Sequence, residues 1–171
     1  MELRYACLAA ALALPSSADA QTKLWQNIEL GMNYKSVQAL YPAAEGQNGV
    51  VHKTDAIGIK RFKITSECEG RVNIRFEGGL VKSVDIEAPT GIWAMTRNDP
   101  NCDRIILNAL TRKYGDPNRM RRDVTLGKWI DTEEKKYVWV TPEGTDIRLE
   151  LSDTDPEYII TYTAQSLDAA L

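Results

Sequence analysis

The strongest constraint on the fold is an alternating apolar pattern that occurs twice, with its two copies 75 positions apart. Each copy has three apolar residues separated by single polar ones: Val72, Ile74 and Phe76 in the first, and Ile147, Leu149 and Leu151 in the second. A period of two predicts a strand with one buried and one solvated face. Two such runs predict antiparallel sheet structure whose apolar face must be covered by other elements.

Further strands and turns are expected around these two runs. Residues 57–65 predict a strand whose alternation slips between Ile59 and Phe62, which indicates a bulge. The Glu-Gly-Gly sequence at 77–79 predicts a tight turn into an antiparallel partner. The last strand is expected at 158–163. Together with the two alternating runs, these predictions give each half of the chain several short strands.

A short amphipathic helix precedes each group of strands. In the second half, Asp99 is a suitable N-cap with Pro100 at the first helical position, and Gly115 ends the helix. The repeated order predicts an α+β fold of two tandem units, each a short helix packed on an antiparallel β-sheet, over about 21–87 and 98–163. The alternative is that short alternating strands resemble one another by chance.

The segment that opens the first helix carries a motif. It reads LGMNYKSVQALYP over residues 30–42, and its final proline ends the helix. The residues of the motif are Gly31, Met32, Asn33 as the N-cap, Val37 and Leu40. This pattern resembles the first helix of the small envelope proteins around the outer-membrane assembly lipoprotein BamE, the SmpA/OmlA-like family. The doubled helix-and-sheet order also looks like the β-lactamase inhibitory protein fold. These resemblances imply a fold that binds other proteins, and they assign no functional residue.

Residues 1–20 have the order of regions that defines a secretory signal peptide. Arg4 gives a basic start, residues 6–14 are apolar, and the segment ends in an Ala-x-Ala cleavage signal. The mature chain, 21–171, is expected to be a single α+β domain that is periplasmic or secreted. The apolar run is shorter than the ~20 residues that span a bilayer. Cys7 lies too early for a lipid-attachment site, so neither a transmembrane segment nor a lipid anchor is expected.

Removal of the signal peptide leaves two cysteines, Cys68 and Cys102. Two cysteines in an oxidising compartment usually pair, so a disulfide is predicted. Closing this loop of 34 residues would stabilise the fold by about 3–4 kcal/mol in the chain-entropy model. A redox or metal pair is the alternative, but it is not supported by a Cys-x-x-Cys spacing or a neighbouring histidine.

Little in the sequence suggests catalysis. His52 is the only histidine, and it stands in a polar stretch without a nucleophile motif, whereas hydrolases usually need a base of near-neutral pKa. Zinc-protease, nucleophile-elbow and phosphate-loop motifs are absent from the sequence, so we expect no enzyme activity, cofactor or metal. Two alternatives stay open: a hydrolase that uses paired carboxylates, and a calcium site on acidic turns. Their candidates are Glu67, Glu69, Glu133 and Glu134 for the first, and Asp146, Asp153 and Asp155 for the second.

Charge is distributed unevenly in the second half of the chain. Residues 111–128 carry six basic and two acidic side chains, and residues 131–157 carry nine acidic and three basic ones. Solvated faces that offset one another are one interpretation, and a docking surface with complementary charge is the other. Nucleic acid is not expected as a partner, because the formal net charge is −3.

Tryptophan and arginine are enriched at binding hot spots, and an exposed loop is expected over 117–129. The candidate binding residues are Trp93, Arg119, Arg121, Arg122 and Trp129, whereas Trp139 is assigned to the core. The sequence thus favours a non-catalytic binding module, of the assembly-factor or inhibitor type, that acts on an unidentified envelope protein. A carrier that holds a small ligand between helix and sheet is a further alternative.

Overall fold

The computed structural model describes residues 22–46, 55–89, 101–125, 132–153 and 157–165, which contain two helices and ten strands. The helices are α1 (Tyr34–Leu40) and α2 (Cys102–Tyr114). The strands are β1 (Lys23–Trp25), β2 (Ile28–Glu29), β3 (Glu45–Gly46), β4 (Ala56–Lys63), β5 (Glu69–Glu77), β6 (Leu80–Glu87), β7 (Arg119–Thr125), β8 (Thr132–Val140), β9 (Thr145–Ser152) and β10 (Tyr158–Ala164).

Eight of these strands form one antiparallel sheet in the order β3-β4-β5-β6-β10-β9-β8-β7, and β1 and β2 pair separately. Each helix is followed along the chain by four strands that pair in sequence order. The last strand of each group, β6 or β10, lies in the middle of the sheet, where the two pair with each other. The α+β class and the antiparallel sheet are confirmed.

One face of the sheet is apolar. Residues directly opposite each other on antiparallel strands point to the same side. Val72 lies opposite Ile86, Ile86 opposite Ile160, and Ile160 opposite Leu149. All four side chains are at most 2% exposed. The two alternating runs of the sequence therefore line one core, and their intervening residues form a second, polar face.

Helix α1 begins where the sequence predicts. The side chain of Asn33 accepts a hydrogen bond from the backbone N–H of Ser36 at 3.0 Å, which satisfies a donor at the helix start. Val37 is fully buried. The ring of Tyr34 packs against that of Phe76, with centroids 5.7 Å apart. Since Phe76 belongs to the apolar run of β5, α1 covers the apolar face in the first half.

Helix α2 covers the same face in the second half. Its buried residues Ile106 and Leu110 share a cleft with Ile86 and Ile160 of the sheet. The helix ends at Gly115, which has a φ of 83°, a conformation that favours glycine. This end is the predicted one. The predicted start is wrong, because α2 begins at Cys102 with Asn101 as its N-cap, and Asp99 and Pro100 lie outside the described residues.

Cys68 and Cys102 form a disulfide, with their Cα atoms 5.7 Å apart. Cys68 directly precedes β5, and Cys102 is the first residue of α2. Both are buried, with 0% and 1% of their surface exposed. The bridge therefore ties the start of the second helix to the sheet of the first half.

Two local predictions are also confirmed. The pairing of β4 with β5 shifts register between Ile59 and Phe62, and Arg61 within this bulge has a φ of 57°. The turn between β5 and β6 contains Gly78 and Gly79, with φ values of 61° and 80°. Positive φ at both central residues is the requirement of the tight hairpin turn expected here.

Candidate functional site

Residues 119–125 form β7 at one edge of the sheet, where the sequence predicts a loop. They pair with residues 132–138 of β8. The expectation of a loop over 117–129 is therefore wrong for this part of the segment. Met120 and Val124 are the only large apolar residues in β7, and they are 72% and 52% exposed. An edge strand that buries no face shows no period-two apolar alternation, which explains why the sequence pattern missed it.

Two of the candidate binding residues share the polar face of the sheet. Arg119 lies opposite Val138, and Arg121 lies opposite Lys136. The next strand adds Arg148, which also lies opposite Val138. We call Arg119, Arg121, Lys136 and Arg148 the basic patch. These side chains border a shallow depression of about 400 Å³ on this face.

Arg122 is separated from the basic patch. Successive residues of a strand point to opposite faces, so Arg122 lies on the side of the sheet that the helices cover. Its guanidinium contacts Glu133 twice, from Nε to Oε1 at 2.8 Å and from Nη2 to Oε2 at 3.0 Å. This arginine holds β7 to β8 across the strand pair.

The two aromatic candidates, Trp93 and Trp129, lie outside the described residues, as do His52 and the signal-peptide region 1–20. Their roles stay predictions. Trp139, assigned to the core, is 1% exposed. Its indole Nε1–H donates a hydrogen bond to the backbone carbonyl next to the end of α2, that of Gly115, at 2.9 Å. The core assignment of Trp139 is therefore confirmed.

The middle of the polar face is built around an ion pair. The carboxylate of Asp85, a residue that is 6% exposed, pairs with the guanidinium of Arg75. Glu87 lies 4.0 Å from the same guanidinium. A carboxylate this buried needs such a partner. The positive charge of Arg75 is thus compensated by carboxylates of the sheet itself. Arg75 is not part of the basic patch, which lies towards the β7 edge.

A second shallow depression, of about 290 Å³, has an acidic lining. Its acidic residues are Asp103, Glu133, Asp153 and Glu157. Hydrogen bonds from Lys135 and Arg122 lower the pKa of Glu133, whereas a glycosidase general acid needs a raised pKa. Asp153 accepts a hydrogen bond from the backbone N–H of Glu133 at 3.1 Å. Among the described residues, no group of three or more His, Cys, Asp or Glu could hold a metal.

A cleft of about 570 Å³ lies between α2 and the apolar face of the sheet. We call it the α2 cleft. Ile86, Ile147 and Ile160 form its floor, and Lys63 and Lys113 are among its charged lining residues. The sequence suggested a ligand between helix and sheet but named no residue for it. The helical period of the sequence predicts which face of α2 is apolar. It does not predict which residues of the strands lie beside that face and line the cleft.

Comparisons with protein-family models, curated proteins and solved structures found no match to this chain. Neither helix of the described residues has the length and apolar character that crossing a membrane requires. The basic patch and the α2 cleft are therefore the two features of the described residues from which a function can be inferred.

Proposed function

We propose that this protein is an exported, non-catalytic binding module that docks on another envelope protein. The basic patch is the observation that carries the proposal, because it gathers four cationic side chains on the face of the sheet that neither helix of the described residues covers. Glu150 is the one acidic residue among the described residues that line the depression. The complementary partner surface is acidic.

The charges of the basic patch can be redirected to a partner at low cost. Arg121 contacts Asp123 at 2.8 Å with a side chain that is 76% exposed. Lys136 contacts Glu134 at 3.4 Å and Glu150 at 3.8 Å. Exposed ion pairs of this kind contribute about 0–1 kcal/mol. Replacing such an intramolecular carboxylate by one from a partner therefore loses little stability.

The shape of this region fits a protein surface. The depression is shallow, and Val138 contributes an apolar contact among its charged neighbours. An interface of apolar contacts within a charged rim is typical of protein–protein recognition. Arginines on both faces of β7 disfavour pairing of this edge strand with a further strand. Docking is therefore expected through side chains on the polar face.

The finer architecture belongs to the same proposal. A helix followed by a four-stranded antiparallel group occurs twice in the described chain, which supports two tandem units. The disulfide supports maturation in an oxidising compartment, periplasmic or extracellular. The likeness to BamE-like and β-lactamase inhibitory protein-like folds is proposed on these grounds together with the helix motif at 30–42.

Charge reversal at the edge strand tests the docking surface. The test variant is Arg119→Glu/Arg121→Glu. Its matched control is Arg104→Glu/Arg112→Glu, which makes the same charge change on exposed positions of α2. Each exported protein is immobilised and incubated with an envelope extract from cells that make it, and bound proteins are quantified. We expect at least one protein to bind wild type and control alike, and to bind the test variant about tenfold less or weaker still.

A second measurement locates the contact. A photo-crosslinking residue at Val138 should capture the same protein in intact cells, whereas one at Leu40, 42% exposed on α1, should not. Binding should also weaken as salt rises, because exposed charges are screened. Undiminished recovery of every bound protein by Arg119→Glu/Arg121→Glu would overturn the proposal.

A further inference from the structure

The floor of the α2 cleft is aliphatic. The cleft has a volume of about 570 Å³, which lies within the ~300–1,000 Å³ typical of ligand sites. The three central strands β6, β9 and β10 each contribute one isoleucine, namely Ile86, Ile147 and Ile160. These side chains are at most 2% exposed and offer no hydrogen bond, and the half-buried Phe62, Ile64 and Ala109 add the apolar surface that a ligand can reach. Such a floor suits an apolar chain and not a sugar or a nucleotide.

Helix α2 forms one wall of the cleft in a regular order. Its lining residues are Ile106, Ala109, Leu110, Lys113 and Tyr114, which recur at the spacing of one helical face. The three apolar residues come first, and the two polar residues lie in the last turn. From the first of these residues to the lysine the wall extends about 10 Å, at ~1.5 Å per residue. The wall therefore changes from apolar to polar along the helix.

Lysines stand at three separate places around the cleft. Lys23 belongs to β1, Lys63 ends β4, and Lys113 lies in the last turn of α2. All three are exposed. Glu143 is the one acidic residue among the described residues that line the cleft. Three cations against one anion favour a ligand whose exposed end is negatively charged.

Polar groups cluster at the same end of the helix wall. The ammonium Nζ of Lys113 lies 4.8 Å from the centre of the Tyr114 ring. Tyr162, which is 5% exposed, also lines the cleft. Burial, and secondarily Tyr114, to which the Tyr162 side chain is hydrogen-bonded, raise the pKa of Tyr162. Its hydroxyl therefore stays protonated, and its hydrogen bond with Tyr114 holds both tyrosines at this polar end of the cleft.

We propose that the α2 cleft binds a single-chain amphiphile of the fatty-acid class. The apolar chain lies against Phe62, Ile64 and Ala109, above the isoleucine floor. The carboxylate lies at the rim formed by Lys23, Lys63 and Lys113. This site goes beyond the proposed protein-binding function, because it lies on the apolar face of the sheet and the basic patch lies on the polar face. The two can be gained or lost independently.

Calorimetric titration with decanoate, below the concentration at which it forms micelles, tests the proposal on the exported full chain. We expect saturable binding of one decanoate per protein. The neutral analogue 1-decanol should bind at least about tenfold more weakly, and decyltrimethylammonium should not bind measurably. Saturable binding that is equally strong for decanoate and decanol would overturn the role of the rim, and no saturable decanoate binding would overturn the site.

Charge removal separates the rim from general electrostatics. The rim variant is Lys63→Gln/Lys113→Gln, and the matched control is Lys35→Gln/Lys82→Gln, at two exposed lysines outside the cleft. We expect the rim variant to bind decanoate about tenfold more weakly with decanol affinity unchanged, and the control to behave as wild type. Equal affinities of the rim variant and wild type for decanoate would contradict the proposal.

The position of the ligand's apolar chain in the cleft can be measured on the wild-type protein, without any substitution. A nitroxide-labelled stearate should broaden the NMR methyl signals of Ala109 and Ile160, and leave those of Met120 and Val124 sharp. The opposite pattern would place the ligand elsewhere and overturn the site. Ala109→Phe, which fills the cleft from the helix wall, should abolish binding while circular dichroism remains that of the wild type.

Two further experiments separate binding of a free fatty acid from binding of an anionic membrane surface and from protein docking. Vesicles that contain phosphatidylglycerol test a membrane surface as the alternative. Binding to these vesicles that depends on Lys63 and Lys113, without binding of free decanoate, would overturn the proposal. The variant Arg119→Glu/Arg121→Glu should bind decanoate with wild-type affinity. The protein-docking proposal and the fatty-acid proposal can therefore be disproved separately.

Discussion

Ile86 and Ile160 lie directly opposite each other where β6 pairs with β10, and they are 2% and 1% exposed. The first of these strands ends one group of four strands, and the second ends the other group. Each isoleucine thus buries its apolar surface partly against the other half of the chain. Since neither group of strands completes its core alone, we expect the two halves to unfold as one cooperative unit.

Replacement of Ile160 by alanine tests this shared core. Removal of a fully buried isoleucine side chain in a packed core costs about 2–5 kcal/mol, so Ile160→Ala should lower the free energy of unfolding by that amount. Urea unfolding followed by tryptophan fluorescence and by far-ultraviolet circular dichroism should give coincident single transitions.

The control for this measurement is Val124→Ala, at a β7 position that is 52% exposed. Surface substitutions of this kind usually change stability by no more than about 0.5 kcal/mol. Two separate transitions in the wild-type protein would show that the halves have independent cores. A loss at Ile160 no larger than that at Val124 would show that the junction contributes little.

The centre of the sheet could be predicted from the sequence because its strands bury one face. Val72 and Leu149 stand in runs whose period of two comes directly from that burial. The ends of local elements were also predictable, because the cap at Asn33 and the positive φ at Gly78 and Gly115 depend on neighbouring residues alone. Each of these features is decided within a few positions of the chain.

The edge of the sheet and the α2 cleft could not be predicted in the same way. The strand β7 has no buried face, so its arginines show charge but no strand period. The separation of Arg122 from Arg121 follows from the strand conformation, which the sequence does not reveal here. The cleft is lined by Lys23, Lys63 and Lys113, and their arrangement around it depends on pairings between distant segments. Sites assembled across the fold carry no local signal.

Removal of the disulfide should destabilise the protein. Cys68→Ala/Cys102→Ala opens a loop with a sequence separation of 34 residues, and the chain-entropy model gives a loss of about 3–4 kcal/mol. Urea unfolding of the oxidised protein and of the variant measures this difference.

Reduction provides the matched control for the disulfide. Dithiothreitol should lower the free energy of unfolding of the wild type by a similar amount and leave the double variant unchanged. Mass spectrometry of the exported protein without reductant should find no free thiol at Cys68 or Cys102. Two free thiols, or a wild type insensitive to the reductant, would contradict the prediction.

The cap of α1 should be worth a measurable part of the stability. Asn33→Ala removes the acceptor of the 3.0 Å hydrogen bond from the Ser36 backbone N–H. Loss of an N-cap typically costs about 0.5–2 kcal/mol. Asn33→Asp keeps an acceptor oxygen and should retain most of the stability. If both substitutions lower the thermal midpoint equally, the side-chain amide serves another contact and the capping role is disproved.

The ion pairs of Glu133, one of which joins β8 to β7, should give the protein a pH dependence in the acid range. Glu133 Oε1 lies 3.1 Å from the Lys135 ammonium and 2.8 Å from Nε of Arg122. Hydrogen bonds from Lys135 and then from Arg122 lower the pKa of Glu133. The folded state therefore holds the carboxylate more strongly than the unfolded chain does.

The sign of the effect follows from this lowered pKa. The stabilisation is fully present above the ordinary glutamate pKa of about 4.3, and it is lost as the pH falls through the lower pKa of the folded state. A carbon-13 NMR titration of the Glu133 carboxyl should have its midpoint below that of the same group in an unfolded peptide. Lys135→Gln and Arg122→Gln should each raise this midpoint. Since 1 M salt reduces the Debye length to about 3 Å, it should also move the midpoint upwards. A midpoint in the folded protein at or above that of the peptide would show that Lys135 and Arg122 do not stabilise the Glu133 carboxylate.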